Sequence, residues 1–92
     1  MVIGGLYKTK TNVNENEYYV VIQKKLTSKR NNETLYNCYV VFNTTKRDFD
    51  FFPAMMTATD FVDQIGTLDV VFSGQIPLYK EQFIDICPEF FI

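Results

Sequence analysis

The chain has 92 residues, of which 47% are hydrophobic, 16% aromatic and 22% charged, and it contains two cysteines and no histidine or tryptophan. This length suits one domain with a single modest core, so we treat residues 1–92 as one domain, and the apolar content is above that of disordered chains. Two cysteines without histidine are too few ligands for the usual zinc site, so we expect no metal and no cofactor.

The formal net charge of −2 conceals an asymmetry along the sequence. Residues 1–47 carry eight cations and three acids, a net charge of +5, whereas residues 48–92 carry one cation and eight acids, a net charge of −7. The basic half suits phosphate, and the acidic half suits a basic partner or mimics nucleic acid. The alternative is a chance asymmetry on a solvated surface.

The N-terminal half predicts three strands. Residues 1–10 are apolar around paired glycines, which weaken a helix and permit a bend, and a polar loop follows at 11–16. Residues 17–25 and 35–44 each alternate between an apolar face and a mixed face, and the polar segment 28–33 predicts a turn between them. The apolar face of the third strand comprises Tyr36, Cys38, Val40 and Phe42.

If the second and third strands form a hairpin, their mixed faces lie side by side, with Tyr19 and Tyr39 on one surface. Unpaired nucleic acid suits such a surface, because bases stack on aromatic rings for about 1–3 kcal/mol each while cations meet phosphates. The candidate nucleic-acid-binding residues are Tyr19, Gln23, Lys25, Lys29, Arg30, Asn37, Tyr39, Lys46 and Arg47. The alternative is that both tyrosines are ordinary half-buried sheet residues with hydrated hydroxyls.

Residues 45–53 are interpreted as a loop rather than an edge strand. Pro53 removes a backbone donor and biases Phe52 away from helix. The three phenylalanines of this segment, Phe49, Phe51 and Phe52, favour core or dimer contacts over a base-stacking platform.

A short helix is predicted next. Thr57 and Asp60 form a carboxylate variant of the capping box, and Gly66 is placed to end the helix. The apolar residues between them recur at helical spacing: Ala58, Phe61, Val62 and Ile65.

The C-terminal third predicts two further strands. Residues 68–76 contain a β-branched and aromatic run, a turn is placed at 77–81, and residues 82–87 return as the last strand.

The predicted order is therefore three strands, a helix and two strands, a mainly β fold with one short helix. It resembles the OB fold, a five-stranded, partly open Greek-key barrel of order β-β-β-α-β-β. Residues 60–86, DFVDQIGTLDVVFSGQIPLYKEQFIDI, are similar to the region of single-stranded DNA-binding proteins where a helix ends on a glycine before a strand, a polar turn and a return strand. The resemblance implies an OB-like β-barrel that binds single-stranded DNA or RNA over strands 2 and 3.

The C-terminal tail is a candidate partner-binding segment, formed by Phe90, Phe91 and Ile92. It resembles the acidic, aromatic tip with which many single-stranded DNA-binding proteins recruit other replication proteins. The alternative is that these apolar residues dock on the domain or across a homodimer interface, because exposed apolar termini are unfavourable in water.

Cys38 and Cys87 leave two readings open, a disulfide or two buried free thiols. We expect no membrane partner, because the apolar runs are strand-sized, and the lack of a signal peptide favours a cytoplasmic location, the host cytoplasm if the protein is viral.

Three function classes follow from these patterns. The first is a non-catalytic single-stranded nucleic-acid-binding protein of DNA replication. The second is a small viral protein-interaction or inhibitor module that binds a host protein, with the acidic half acting as a nucleic-acid mimic. The third, an enzyme, is disfavoured because the chain has no histidine base, nucleophile motif or phosphate-cradling glycine loop.

Overall fold

A β-sheet of five antiparallel strands and one helix form the fold in the computed structural model, which describes residues 1–10, 16–69 and 76–91. The strands are β1 (Gly5–Thr9), β2 (Tyr18–Thr27), β3 (Thr34–Asn43), β4 (Asp48–Thr57) and β5 (Phe61–Thr67). The helix α1 spans Ile76–Ile86, and single 3₁₀ turns lie at Ala58–Asp60 and Pro88–Phe91. The expected mainly β fold with one short helix is confirmed.

The strand order across the sheet is β4-β3-β2-β1-β5. The first three predicted strands are confirmed as β1, β2 and β3. The edge strands β4 and β5 do not pair with each other in the described ranges, so the sheet is not closed into the expected barrel.

A three-residue connection nevertheless curls this sheet strongly. In a flat sheet the edges β4 and β5 would lie roughly 19 Å apart, at about 4.8 Å per strand spacing. Thr57 ends β4 and Phe61 begins β5, and only the 3₁₀ turn Ala58–Asp60 joins them. Such a turn rises about 2 Å per residue, so the four steps from Thr57 to Phe61 span roughly 8 Å. The two edges must therefore approach each other across one face of the sheet.

That concave face encloses an apolar cluster. Tyr7 and Phe61 meet edge-on there, with ring centroids 5.7 Å apart. The cluster, called the inner core below, contains Tyr7, Val20, Ile22, Tyr36, Cys38, Val40 and Phe61, with Tyr18, Ala54 and Met56 packed against it.

The opposite face packs against α1. Phe83 is fully buried and stacks on Phe42 with ring centroids 4.9 Å apart, and the ring of Tyr19 lies 5.3 Å from that of Phe83. This cluster, called the helix core below, contains Leu6, Tyr19, Val21, Val41, Phe42, Leu68, Tyr79, Phe83 and Cys87.

A bulge in β3 changes the face on which one of its predicted apolar residues lies. The register with β2 shifts between Val40 and Phe42, where β3 has one residue more than β2, and both Val41 and Phe42 lie in the helix core. A bulge inserts one residue and so breaks strict alternation. Tyr36, Cys38 and Val40 share one face as expected, but Phe42 lies on the other.

The helix predicted after Thr57 is wrong beyond its first turn. The capping interaction exists, since Thr57 N donates to Asp60 Oδ2 at 2.6 Å. The chain then extends into β5, because an isolated eight-residue helix is marginal whereas strand pairing with β1 satisfies the backbone. Gly66 is not a helix stop; a Cβ there would lie 3.0 Å from Ile86 Cγ2, so the glycine allows α1 to approach the sheet.

The last predicted turn and strand, residues 77–87, are also wrong, because α1 occupies them. Pro77 falls in the first helical turn, where a missing backbone N–H is tolerated. Tyr79, Phe83 and Ile86 follow at helical spacing and face the sheet. Of the strand expected at 68–76, Leu68 lies in the helix core, and residues 70–75 lie outside the described residues.

The expected loop at 45–53 is a strand over most of its length. Residues from Asp48 onward form the edge strand β4, paired with β3. Pro53 is accepted there because one side of an edge strand has no ladder to lose. The polar loop predicted at 11–16 lies outside the described residues except for its last residue.

We expect Phe83→Ala to lower the free energy of unfolding by about 3–5 kcal/mol, the usual cost of deleting a fully buried ring. Leu78→Ala, on the exposed side of the same helix, should change it by less than about 1 kcal/mol. Urea denaturation followed by circular dichroism measures both. Equal effects of the two substitutions would show that α1 does not pack through Phe83.

Candidate nucleic-acid interface

The helix α1 covers only part of its face of the sheet. Eleven helical residues span about 16 Å, whereas the ten-residue strands β2 and β3 span about 33 Å. Tyr79 near the start of α1 stacks on Tyr39 in the middle of β3, and Phe83 lies over Phe42 farther along. The helix therefore runs toward the β3–β4 turn and does not itself extend over the hairpin end of β2 and β3.

Tyr19 is not an exposed stacking platform, contrary to the sequence-based expectation. It is 7% exposed, and its ring lies 5.3 Å from Phe83 and 5.7 Å from Phe90. Burial raises the pKa of its phenol, with smaller contributions from Cys87 and nearby carboxylates. The mixed face of β2 packs against α1 because Tyr19 and Val21 supply apolar area there.

Tyr39 is half-buried, and its ring is already stacked within the protein. The ring centroids of Tyr39 and Tyr79 are 5.4 Å apart at an angle of 18°, and Phe51 stacks at 6.4 Å and 27°. The two tyrosines thus follow the alternative reading of ordinary sheet residues. Both rings are thus already in contact with other aromatic rings of this chain.

A register shift in β2 decides whether Lys24 or Lys25 lies on the face of the sheet that packs against α1. The ladder with β3 shifts between Ile22 and Lys24, so Lys24 lies opposite Asn37 and Lys25 lies opposite Tyr36. Directly opposed residues share a face. Lys24 therefore shares a face with Asn37, and the candidate Lys25 lies on the inner-core side. Strict alternation places Lys24 on the wrong face, because no glycine or proline marks the bulge in the sequence.

Four exposed cations cluster on the hairpin, and we call Lys24, Lys25, Lys29 and Arg30 the cationic hairpin. The turn is held by Ser28 N donating to the Glu33 carbonyl at 2.8 Å. In the described parts of the chain the one ion pair is Lys8–Glu17, at 3.5 Å, so none of these four cations is neutralised by a carboxylate there. They are available to an anionic partner.

A pocket of about 370 Å³ lies beside the cationic hairpin. We call it the distal pocket; it is lined by Gln23, Asn37, Cys38, Pro53, Ala54 and Met55. Gln23 Nε2 donates to the hydroxyl of Tyr79 at 3.2 Å, which ties the pocket wall to the start of α1. Two candidate residues, Gln23 and Asn37, are thus brought together here.

Lys46 and Arg47 lie at the opposite end of the sheet, in the β3–β4 turn. The length of β3 separates them from the cationic hairpin by roughly 30 Å. The guanidinium of Arg47 donates to the carbonyl of Phe90 at 3.4 Å and lies 5.8 Å from the centre of its ring. The structure therefore divides the predicted cations between two ends of the molecule.

The C-terminal tail packs on the domain. Phe90 lies 5.1 Å from the ring of Phe42, and Phe91 stacks on Phe49 at 5.6 Å. This arrangement corresponds to the docking alternative, although Phe91 keeps 41% of its surface exposed. Ile92 lies outside the described residues.

The two cysteines are free and lie on opposite faces of the sheet, Cys38 in the inner core and Cys87 in the helix core. The disulfide alternative is thereby excluded in this fold. Burial raises the pKa of Cys38 to about 12, with a further rise from Asp60, and burial together with Glu89 raises the pKa of Cys87 to about 11. Both thiols are protonated at neutral pH.

Within residues 1–10, 16–69 and 76–91, no cluster of three carboxylate or cysteine side chains is arranged to hold a metal ion. Over the same ranges, no helix has the length and apolar character needed to cross a membrane. No protein-family model, curated protein or solved structure matches the chain.

We expect neither thiol to react appreciably with iodoacetamide at pH 7.5 in the folded protein, because the thiolate is the nucleophile and burial keeps both groups protonated. In urea, both should be alkylated at the rate of an ordinary thiol, as measured by mass spectrometry. Because the folded pKa values lie above the unfolded ones, the thiols should also lower the free energy of unfolding as pH rises from about 9 toward 11–12. Rapid labelling of Cys38 without denaturant would mean that the distal pocket opens into the inner core.

Proposed function

We propose that the protein is a non-catalytic, single-stranded nucleic-acid-binding module that holds phosphates with the cationic hairpin. The observation that supports this most directly is a group of four exposed cations, without carboxylate partners among the described residues, at the hairpin end of β2 and β3, which α1 does not cover. Residues 18–43 carry those four cations and the single acid Glu33. The hairpin is thus a local basic surface on a protein of net negative charge.

The range of electrostatic forces makes this local charge relevant. The Debye length is about 8 Å at physiological ionic strength, so an approaching phosphate responds to nearby charges rather than to the net charge of the molecule. Neutralising phosphates with Lys and Arg also releases counterions from the nucleic acid, which favours binding at low salt.

The proposed binding does not rely on the base stacking that the sequence analysis expected at two tyrosines. Tyr19 and Tyr39 are engaged inside the protein, so the binding we propose is led by phosphate contact. The OB-like Greek-key arrangement, a role in DNA replication, a viral origin and a cytoplasmic location remain predictions of the resemblance and of the sequence. The proposal requires none of them.

We expect Lys29→Gln to weaken binding of a fluorescein-labelled 12-nucleotide DNA strand roughly fivefold at low salt, as measured by fluorescence anisotropy. A charge pair at about 4 Å in water contributes about 1 kcal/mol, and the loss of one phosphate contact should reduce the slope of log K against log salt by about 0.7.

Lys46→Gln is the matched control, since it removes one exposed cation at the far end of β3. It should leave both the affinity and the slope close to those of the unaltered protein. Equal losses from the two substitutions would indicate diffuse attraction, and absence of binding by the unaltered protein at low salt would contradict the proposal.

A protein-interaction module is the second candidate, and the exposed apolar residues of the two edge strands favour it. Phe52 and Met55 on β4, and Val62 and Ile65 on β5, are all exposed. Pro53 limits strand addition to β4, whereas β5 contains neither proline nor lysine, the usual protections of an edge. A homodimer or a host or replication protein could pair there.

Sedimentation velocity tests this second candidate. Concentration-dependent dimerisation that Val62→Lys abolishes, together with no affinity for nucleic acid, would favour the interaction module. A monomer at all concentrations would remove the homodimer from consideration.

A further inference from the structure

We propose that the distal pocket accepts one unstacked base of the strand whose phosphates the cationic hairpin holds. This inference rests on the proposed function and assigns a second element of recognition to the same end of the sheet. In this proposal a base enters the distal pocket instead of stacking on Tyr19 and Tyr39.

The pocket and the cations adjoin through strand register. Lys24 lies directly opposite Asn37, and Gln23 precedes Lys24 in β2. Asn37 and Gln23 both line the distal pocket. In a nucleotide, the phosphate and the base are attached to one sugar, so a strand that places a phosphate on Lys24 brings a base to the neighbouring pocket.

The polar groups of the pocket suit the edge of a base. Gln23 uses Nε2 on the Tyr79 hydroxyl, which fixes its amide, and no hydrogen bond to its Oε1 occurs in the described parts of the chain. The side-chain amide of Asn37 likewise makes no hydrogen bond there, so it presents a donor and an acceptor side by side. Amides of this kind read base edges by paired hydrogen bonds.

The apolar groups of the pocket suit the face of a base. Met55 is 57% exposed, and Pro53 lies opposite Tyr39 in the β3–β4 ladder. A thioether and a proline ring offer polarisable and flat contact surfaces. At about 370 Å³ the pocket falls within the range of small-ligand sites. A purely apolar ligand would bury the amides without partners, which is unfavourable.

The test compares two labelled 12-nucleotide strands that carry the same number of phosphates, one with natural bases and one built entirely of abasic sites. Anisotropy titrations at low salt should give at least fivefold tighter binding of the natural strand, since one base contact contributes about 5- to 150-fold. Both strands should share the same salt slope, because their phosphates are the same.

Two substitutions locate the effect. Asn37→Leu removes the amide at similar size, and Met55→Ala removes the apolar contact; each should reduce the preference for the natural strand by at least half. Gln64→Leu, an exposed amide on the distant edge strand β5, should leave the preference unchanged. Circular dichroism melts establish that each variant is folded, and Met55→Ala tests the pocket if Asn37→Leu does not fold.

The outcomes separate this inference from the function it rests on. Equal binding of natural and abasic strands, with a salt slope that Lys29→Gln still reduces, would overturn the base pocket and leave phosphate-led binding in place. A preference that Asn37→Leu and Met55→Ala do not alter would place the base elsewhere and also overturn the pocket. Failure of both strands to bind would overturn both proposals.

Discussion

The short connection Ala58–Asp60 is the constraint on which the rest of the structure depends. It joins strands that lie at opposite edges of a five-stranded sheet, so the sheet must curl until those edges approach. The curl lets one face enclose Tyr36, Cys38 and their neighbours without a helix on that side. Hydrophobic burial on the concave face stabilises this shape, because exposing that cluster in a flat sheet would be unfavourable.

This constraint also determines which parts of the sheet are occupied by the protein's own side chains. The concave face is filled by its own side chains, so the open surface lies on the side of α1. The helix and the 3₁₀ turn Pro88–Phe91 cover the end of that face near Phe42 and Tyr19. Among the described residues, α1 and this turn do not cover the hairpin end of β2 and β3, which carries amides, an exposed methionine and four cations without carboxylate partners there. The asymmetry of charge in the sequence thus becomes a local basic surface.

The sequence predicted β2 and β3 because their apolar alternation is long and regular, and β1 because paired glycines among apolar residues disfavour a helix. It failed at residues 57–66, where a capping pair also fits a single 3₁₀ turn, and at residues 77–87, where short apolar runs suit either period. In the second case the spacing of Tyr79 and Phe83 was a usable helical signal. Of the candidate site residues, Gln23, Asn37 and the hairpin cations lie together as expected of one surface, but Tyr19 is covered by α1, which the sequence analysis did not place there. Lys24 was missed because a bulge, which no local sequence signal marks, sets its face.

Hydrogen exchange of the backbone amides, with and without a 12-nucleotide single strand, tests the central claim most directly. That claim, which we propose above, is that the hairpin end of β2 and β3, which α1 does not cover, is the binding surface. The account predicts slower exchange at residues 23–37 and 53–55 when the strand is bound, with no change in the β3–β4 turn at residues 44–47. Protection confined to that turn or to β5, with the hairpin unchanged, would contradict it.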